Sequence, residues 1–148
     1  MAVAPRILIV EARYYGHIAD ILAAGAIAEL DRAGAGQERL TVPGAFEIPA
    51  AIHLAHRSTE SFDGYIALGC VIRGETSHYD LVCDSCARGI QELAVGQGLA
   101  IGFGVLTVES EAQALARAAT DGKNKGGEAA RACLAMIALK RRFASAAT

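Results

Sequence analysis

The chain has 148 residues, a length that fits one domain with its own hydrophobic core. Its formal net charge is −2 and its pI is about 6.1, which argues against a nucleic-acid-binding protein. No stretch approaches the roughly eighteen consecutive apolar residues of a membrane-spanning helix, and the N-terminus lacks a signal-peptide pattern, so we expect a cytoplasmic protein. Hydrophobic residues nevertheless make up 53% of the chain, and this high content indicates buried interfaces between subunits.

Strand and helix patterns alternate along the chain. Taken in order, the periodicity of the apolar residues predicts strand 6–10, helix 16–33, strand 39–42, helix 46–57, strand 64–72, helix 77–95, strand 99–108, helix 110–119 and helix 126–143. Pro49 is compatible with the second of these helices only in its first turn. Two helix starts carry the sequence of a capping box, Ser110 with Gln113 and Ser77 with Asp80.

This alternation of apolar strands with helices predicts an α/β fold with a parallel sheet. Right-handed crossovers then give a three-layer α/β/α sandwich of the flavodoxin-like type, with a four-stranded, mainly parallel sheet and helices on both faces. We expect a single domain over residues 1–148, with flexible ends at 1–5 and 144–148. In such folds, small molecules bind at the carboxyl ends of the strands.

The most informative segment is 69–80, Gly-Cys-Val-Ile-Arg-Gly-Glu-Thr-Ser-His-Tyr-Asp, which links the third strand to a helix. Its turn offers free backbone N–H groups and the positive end of a helix dipole, and both suit a phosphate group. His78 follows in the first helical turn, where an imidazole can transfer protons near neutral pH. A helix-capping histidine without a chemical role is the alternative interpretation.

Segments 11–17, 42–49 and 107–110 follow the other three predicted strands. Because parallel strands end at the same edge of a sheet, that edge collects aromatic rings, a carboxylate, the phosphate-suited turn and a histidine. This composition is typical of a site for a polar, planar, partly phosphorylated small molecule.

Four cysteines are present, two of them as the pair Cys83-x-x-Cys86. This spacing occurs in metal and redox sites, but here it falls inside a predicted helix, and only His53 and His56 are conceivable partners. Packed, reduced thiols are therefore the favoured interpretation over a metal or redox site.

Four motifs follow one another along the chain: Val-Pro-Gly-Ala-Phe-Glu-Ile-Pro at 42–49, Gly-Cys-Val-Ile-Arg-Gly-Glu-Thr at 69–76, Ser-His-Tyr-Asp at 77–80 and Asn-Lys-Gly at 124–126. In this order they resemble the lumazine synthase family of riboflavin biosynthesis, and the resemblance covers essentially the whole chain. It implies condensation of a ribitylamino-uracil amine with dihydroxybutanone phosphate, without a metal or redox cofactor.

The resemblance also implies roles for individual residues. His78 matches the residue that transfers protons. The positions implied to contact the ribitylaminouracil are Tyr14, Ala45, Phe46, Glu47, Val71, Ile72, Phe103 and Lys125. The positions implied to bind the phosphate are Gly74, Glu75, Thr76 and Arg117. Tyr15 and Ser110 depart from the family, which often has asparagine at both places.

Several of these residues have plainer interpretations from the sequence alone. Tyr14 and Phe103 would be ordinary aromatic residues of strands and strand ends. Glu47 would be a carboxylate favoured by a helix dipole. Arg117 and Lys125 would be surface charges.

Phe103 matches an aromatic residue that reaches the site from a neighbouring subunit, so the resemblance implies a homo-oligomer with its active site at the subunit interface. The turn 119–124 lacks the pattern of shell-forming members, and Pro5 limits strand addition before the first strand. We therefore favour a pentamer over an icosahedral shell or a decamer. The alternative functions are a non-catalytic flavin or lumazine carrier or scaffold, and another flavodoxin-like enzyme of phosphorylated sugars.

Overall fold

Four parallel strands form the central sheet of the computed structural model, which describes residues 3–147. They are β1 (Arg6–Ala12), β2 (Gly36–Val42), β3 (Gly64–Ile72) and β4 (Ile101–Val108), in the spatial order β2-β1-β3-β4. The helices are α1 (Gly16–Arg32), α2 (Ile48–Arg57), α3 (His78–Gln97), α4 (Glu111–Ala118) and α5 (Lys125–Ala147). The predicted flexible ends, 1–5 and 144–148, lie partly outside the described residues.

Helices cover both faces of the sheet, which confirms the predicted three-layer, flavodoxin-like α/β/α fold. Side chains alternate along β1, so that Ile7 and Ile9 pack in one core with α1, α4 and α5. Leu8 and Val10 pack in a second core with α2 and α3. Within the described residues, no helix is both long and apolar enough to cross a lipid bilayer.

The edge strand β2 begins at Gly36, three residues before its predicted start at 39. The Gly36 N–H donates a hydrogen bond to the carbonyl oxygen of Pro5 at 2.8 Å, and pairing with β1 continues to Val42. Most of this edge strand is not buried, so polar residues such as Gln37 and Glu38 are tolerated in it. An apolar pattern therefore could not reveal this part of the strand.

Several helix boundaries also differ from the prediction by one or two residues, and the end of the last helix differs by four. The helix predicted at 46–57 starts as a 3₁₀ turn, Ala45–Glu47, and α2 begins at Ile48 with Pro49 in its first turn as predicted. The last helix continues beyond the predicted end at 143 to Ala147, through an alanine-rich segment that favours helix.

One predicted capping box is confirmed and the other is wrong. The Ser110 hydroxyl accepts a hydrogen bond from the Gln113 N–H at 3.2 Å, and the Gln113 side chain accepts one from the Glu109 N–H at 2.8 Å. Ser77 makes no side-chain cap at the start of α3. Its predicted partner Asp80 instead pairs with Arg73 at 3.3 Å.

The helix α5 packs directly on the backbone of β4 where that strand carries glycines. A Cβ atom at Gly102 would lie 1.9 Å from the carbonyl oxygen of Ala129. A Cβ atom at Gly104 would lie 2.7 Å from the Leu68 side chain and 3.0 Å from that of Ala129. Gly102 is therefore required by the close approach of the helix to the sheet, whereas a Cβ atom at Gly104 would mainly displace the end of a leucine side chain.

We expect Gly102→Ala to lower the free energy of unfolding by about 2–3 kcal/mol, because the new methyl group must push α5 away from β4. Urea unfolding at fixed protein concentration measures the change. Gly96→Ala is the matched control, since a Cβ atom there meets nothing within 4 Å and replaces glycine inside α3. A Gly102→Ala variant as stable as the Gly96→Ala variant would contradict this account of the packing.

Candidate active site

A cavity of about 590 Å³, cavity A, opens at the carboxyl edge of the sheet. Its walls come from the segments that follow β1 and β2, the end of β3 and the first turn of α3. Among the predicted site residues it brings together Tyr14, Ala45, Phe46, Glu47, Val71, Ile72 and His78. The volume is within the range typical of small-molecule sites.

The aromatic wall of cavity A is formed by Tyr14 and Tyr15. The two rings meet edge to face, with centroids 4.9 Å apart and an interplanar angle of 75°. Tyr15 packs against the core, and this burial raises the pKa of its hydroxyl. Tyr14 is 76% exposed, so its ring is available to stack on a planar ligand.

The opposite wall is the 3₁₀ turn Ala45–Glu47, which follows the end of β2. Ala45 is buried beneath it, whereas Phe46 is exposed. The Glu47 N–H donates a hydrogen bond to the Gly44 carbonyl at 3.1 Å and closes the turn. Its carboxylate has no hydrogen-bond partner among the described residues, so it can accept bonds from the hydroxyl groups of a ligand.

His78 is the first residue of α3, exposed at the rim of cavity A. Its N–H donates to the Thr76 hydroxyl at 3.3 Å. Gly74, Glu75 and Thr76 do not line the cavity but form the exposed turn that leads into His78. No acceptor for their backbone N–H groups lies among the described residues, an arrangement suited to an anion.

Arg73 holds this turn against the end of β4. Its N–H donates to the Val108 carbonyl at 2.9 Å, and its guanidinium pairs with Glu109 at 3.0 Å and Asp80 at 3.3 Å. The same group stacks over the Tyr79 ring, 4.2 Å from its centroid. The turn is therefore tied to two neighbouring elements although its surface is exposed.

A second cavity of about 330 Å³, cavity B, lies on β4 and the helices that follow it. It brings together Phe103, Arg117 and Lys125, which were also predicted from the sequence. Phe103 is 44% exposed, and Arg117 donates only to the Gln113 carbonyl of its own helix, at 3.1 Å. Lys125 pairs with Glu128 at 3.0 Å. Cavities A and B share no lining residue, and within one chain these three residues line a different cavity from His78.

Sequence reasoning missed several lining residues of cavity A. Leu81 lies three residues after His78 on the same face of α3, and that helical spacing could have identified it. Cys70 lines the floor at the end of β3, where burial raises the pKa of its thiol to about 11. The thiol is therefore neutral at physiological pH. Because nucleophilic attack requires the thiolate, Cys70 contributes to the cavity wall and not to the chemistry.

The pair Cys83 and Cys86 lies inside α3, as predicted, and both thiols are free. Burial raises the pKa of Cys86 to about 12. No group of three or more histidine, cysteine or acidic side chains with the spacing of a metal site occurs among residues 3–147.

The chain matches the family model described as 6,7-dimethyl-8-ribityllumazine synthase over residues 4–141. It is 58% identical to the 6,7-dimethyl-8-ribityllumazine synthase of Sphingopyxis alaskensis over 137 residues, covering 93% of this chain and 96% of that protein. It is 56% identical to the protein of the same name from Bartonella tribocorum over 139 residues, covering 94% of this chain and 92% of that protein. The chain therefore belongs to the 6,7-dimethyl-8-ribityllumazine synthase family.

Proposed function

We propose that this chain condenses 5-amino-6-(D-ribitylamino)uracil with 3,4-dihydroxy-2-butanone 4-phosphate. The products are 6,7-dimethyl-8-ribityllumazine, phosphate and water, in the penultimate step of riboflavin biosynthesis. Family membership supports this reaction and the assignment of the chain as a transferase enzyme. The observation that assigns this reaction to particular residues is cavity A. It brings together an aromatic face, a free carboxylate and His78 at the carboxyl edge of the sheet.

The ribitylaminouracil occupies cavity A. Its ring stacks on Tyr14 and lies against Val71 and Ile72, while the ribityl chain runs along the turn Ala45–Glu47. Glu47 accepts hydrogen bonds from the ribityl hydroxyl groups, which gives the site a preference for a polyol side chain.

The phosphate of the second substrate binds to the backbone N–H groups of Gly74, Glu75 and Thr76. This position places the ketone next to His78, at the start of α3. Imine formation, loss of phosphate, dehydration and ring closure each move a proton, and an imidazole can serve as acid and as base. The leaving phosphate can itself accept a proton, so we expect loss of His78 to slow the reaction without abolishing it.

The complete site requires two subunits. Phe103, Arg117 and Lys125 in cavity B face cavity A of a neighbouring copy, where Arg117 adds a fork of donors to the phosphate and Phe103 covers the ring. This head-to-tail contact uses two different surfaces and closes as a ring. Exposed apolar side chains that line the two cavities support it: Phe46 and Leu81 in cavity A, and Phe103 in cavity B.

We favour a homopentamer over a decamer or an icosahedral shell. Light scattering should give a mass near five times that of the 15.4 kDa subunit, and a much larger particle would overturn this assembly. The cytoplasm is the proposed compartment, because reducing conditions there maintain the four free thiols.

The direct test mixes both substrates with the purified protein and follows the absorbance of the lumazine product. Wild type should form product, and His78→Ala should reduce kcat by roughly 10²-fold, the lower end of the usual contribution of an acid–base group. The uncatalysed reaction of the two substrates is the baseline. If the protein binds the ribitylated substrate but forms no product above that baseline, the assignment as an enzyme is wrong and a carrier is favoured.

A further inference from the structure

Glu11 is a buried carboxylate at the carboxyl end of β1. It is only 1% exposed, and it is the only buried charged residue among the described part of the chain. Its neighbour in the register is Thr41 of β2, close to the edge of the sheet that carries cavity A. Burying a charge is unfavourable unless it is paired and hydrogen-bonded, so the residues that bind Glu11 indicate its role.

Two arginines satisfy both oxygens of this carboxylate. Arg39 of β2 binds it with two bonds, from Nε to Oε2 at 2.6 Å and from Nη2 to Oε1 at 2.9 Å. Arg13 adds a third bond, from Nη1 to Oε1 at 2.8 Å. Arg13 also contacts the Asp20 carboxylate and the Gly16 carbonyl, the latter at 3.4 Å.

The network joins the two strands from which two walls of cavity A extend. Ala12 and Val42 are paired at the ends of β1 and β2, and the chain leaves the sheet at both. After Ala12 comes Arg13 and then Tyr14, whereas Val42 is followed by the segment that forms the turn Ala45–Glu47. Arg13 therefore anchors the first wall, and Arg39 anchors the strand that carries the second.

We infer that Glu11, Arg13 and Arg39 are positioning residues that set the spacing between Tyr14 and the turn Ala45–Glu47. The inference rests on the proposed function, because it concerns how the two walls hold the ribitylaminouracil. None of the three side chains lines cavity A, so each acts through the backbone that it holds.

Stability alone does not explain a buried charge at this place. An apolar side chain of similar volume is often at least as stabilising as a buried ion pair. The same two strands are also linked at their other end by Arg6 and Glu38, at 2.5 Å, where both side chains are about half exposed. A buried carboxylate held by three hydrogen bonds instead fixes the geometry of the two strand ends, since a fork of donors permits little rotation.

The test replaces Arg39 with lysine, which keeps the charge but removes the two-bond fork. We expect the KM for 5-amino-6-(D-ribitylamino)uracil to rise roughly tenfold, with kcat and the KM for the phosphorylated ketone nearly unchanged. The Kd of the product, 6,7-dimethyl-8-ribityllumazine, measured by fluorescence titration should rise by a similar factor, whereas binding of inorganic phosphate should not change.

Arg6→Lys is the matched control, because it alters an arginine–glutamate pair across the same strands but far from the cavity. It should leave both KM values and the product Kd unchanged. Glu11→Gln, which preserves the shape of the side chain, should shift the product Kd in the same direction. Arg39→Lys is informative even if Glu11→Gln does not fold, since Arg39 is half exposed.

Two results would overturn the inference while leaving the proposed function intact. One is an Arg39→Lys variant with wild-type KM values and product affinity. The other is an equal loss of affinity for both substrates, which would indicate a general disturbance of the fold. Failure of the wild-type protein to form any lumazine would instead contradict the proposed function itself.

Discussion

Arg117→Ala is expected to lower kcat/KM for the phosphorylated ketone by roughly 10- to 100-fold, because a hydrogen bond to a charged group contributes about 1.5–3 kcal/mol. Arg117 donates only one hydrogen bond, to a carbonyl of its own helix, so the rest of its guanidinium is available to a phosphate. The KM for the ribitylaminouracil should change little. Steady-state kinetics in which each substrate is varied in turn would separate the two effects.

Arg88→Ala is the appropriate control for this substitution. Arg88 is also an exposed arginine that bonds within its own helix, to Asp84 at 3.2 Å, but it lines neither cavity. Its loss should leave both kinetic constants unchanged. Arg117→Lys should retain part of the activity, since it keeps the charge and loses the fork. Unchanged kinetics in Arg117→Ala would remove this residue from the proposed phosphate site.

The fold could be predicted because its main signals are local. β1 and β3 carry continuous apolar runs, and the parallel arrangement of the strands follows from the helices between them. The family resemblance from four motifs is confirmed by the family match over residues 4–141. The edge strand β2 was predicted too short, because exposed pairing depends on backbone hydrogen bonds rather than on apolar side chains.

The site was predictable to the extent that strand ends determine it. Residues that directly follow parallel strands must meet at one edge, so Tyr14, Glu47 and His78 could be grouped before their geometry was known. Arg117 carries no such signal, since a single arginine on a short helix has the pattern of a surface charge. Its role was implied only by resemblance, and it stays a prediction.

The buried network at Glu11 illustrates a different limit of sequence reasoning. Glu11, Arg13 and Arg39 lie in two separate strand regions, and nothing in their spacing along the chain indicates that they meet. Their contact depends on the register of β1 against β2, and part of β2 was not predicted. Long-range ion pairs of this kind become visible only once strand pairing is known.

The proposed division of the site between two chains leads to the most demanding prediction. His78→Ala damages cavity A, and Arg117→Ala damages cavity B, so each variant alone should be strongly impaired at every site. When equal amounts are refolded together, a cavity A from an Arg117→Ala subunit can meet a cavity B from a His78→Ala subunit. Random assembly in a ring then produces intact sites at about a quarter of the interfaces, and activity should return to about a quarter of the wild-type value.

The control mixes His78→Ala with Tyr14→Ala, two lesions that both lie in cavity A. No arrangement of these subunits contains an intact cavity A, so refolding them together should restore no activity. Recovery in the first mixture but not in the second requires that cavity A and cavity B of one site come from different chains. Absence of recovery in the first mixture, with assembly confirmed by light scattering, would mean that the catalytic groups are not shared between subunits.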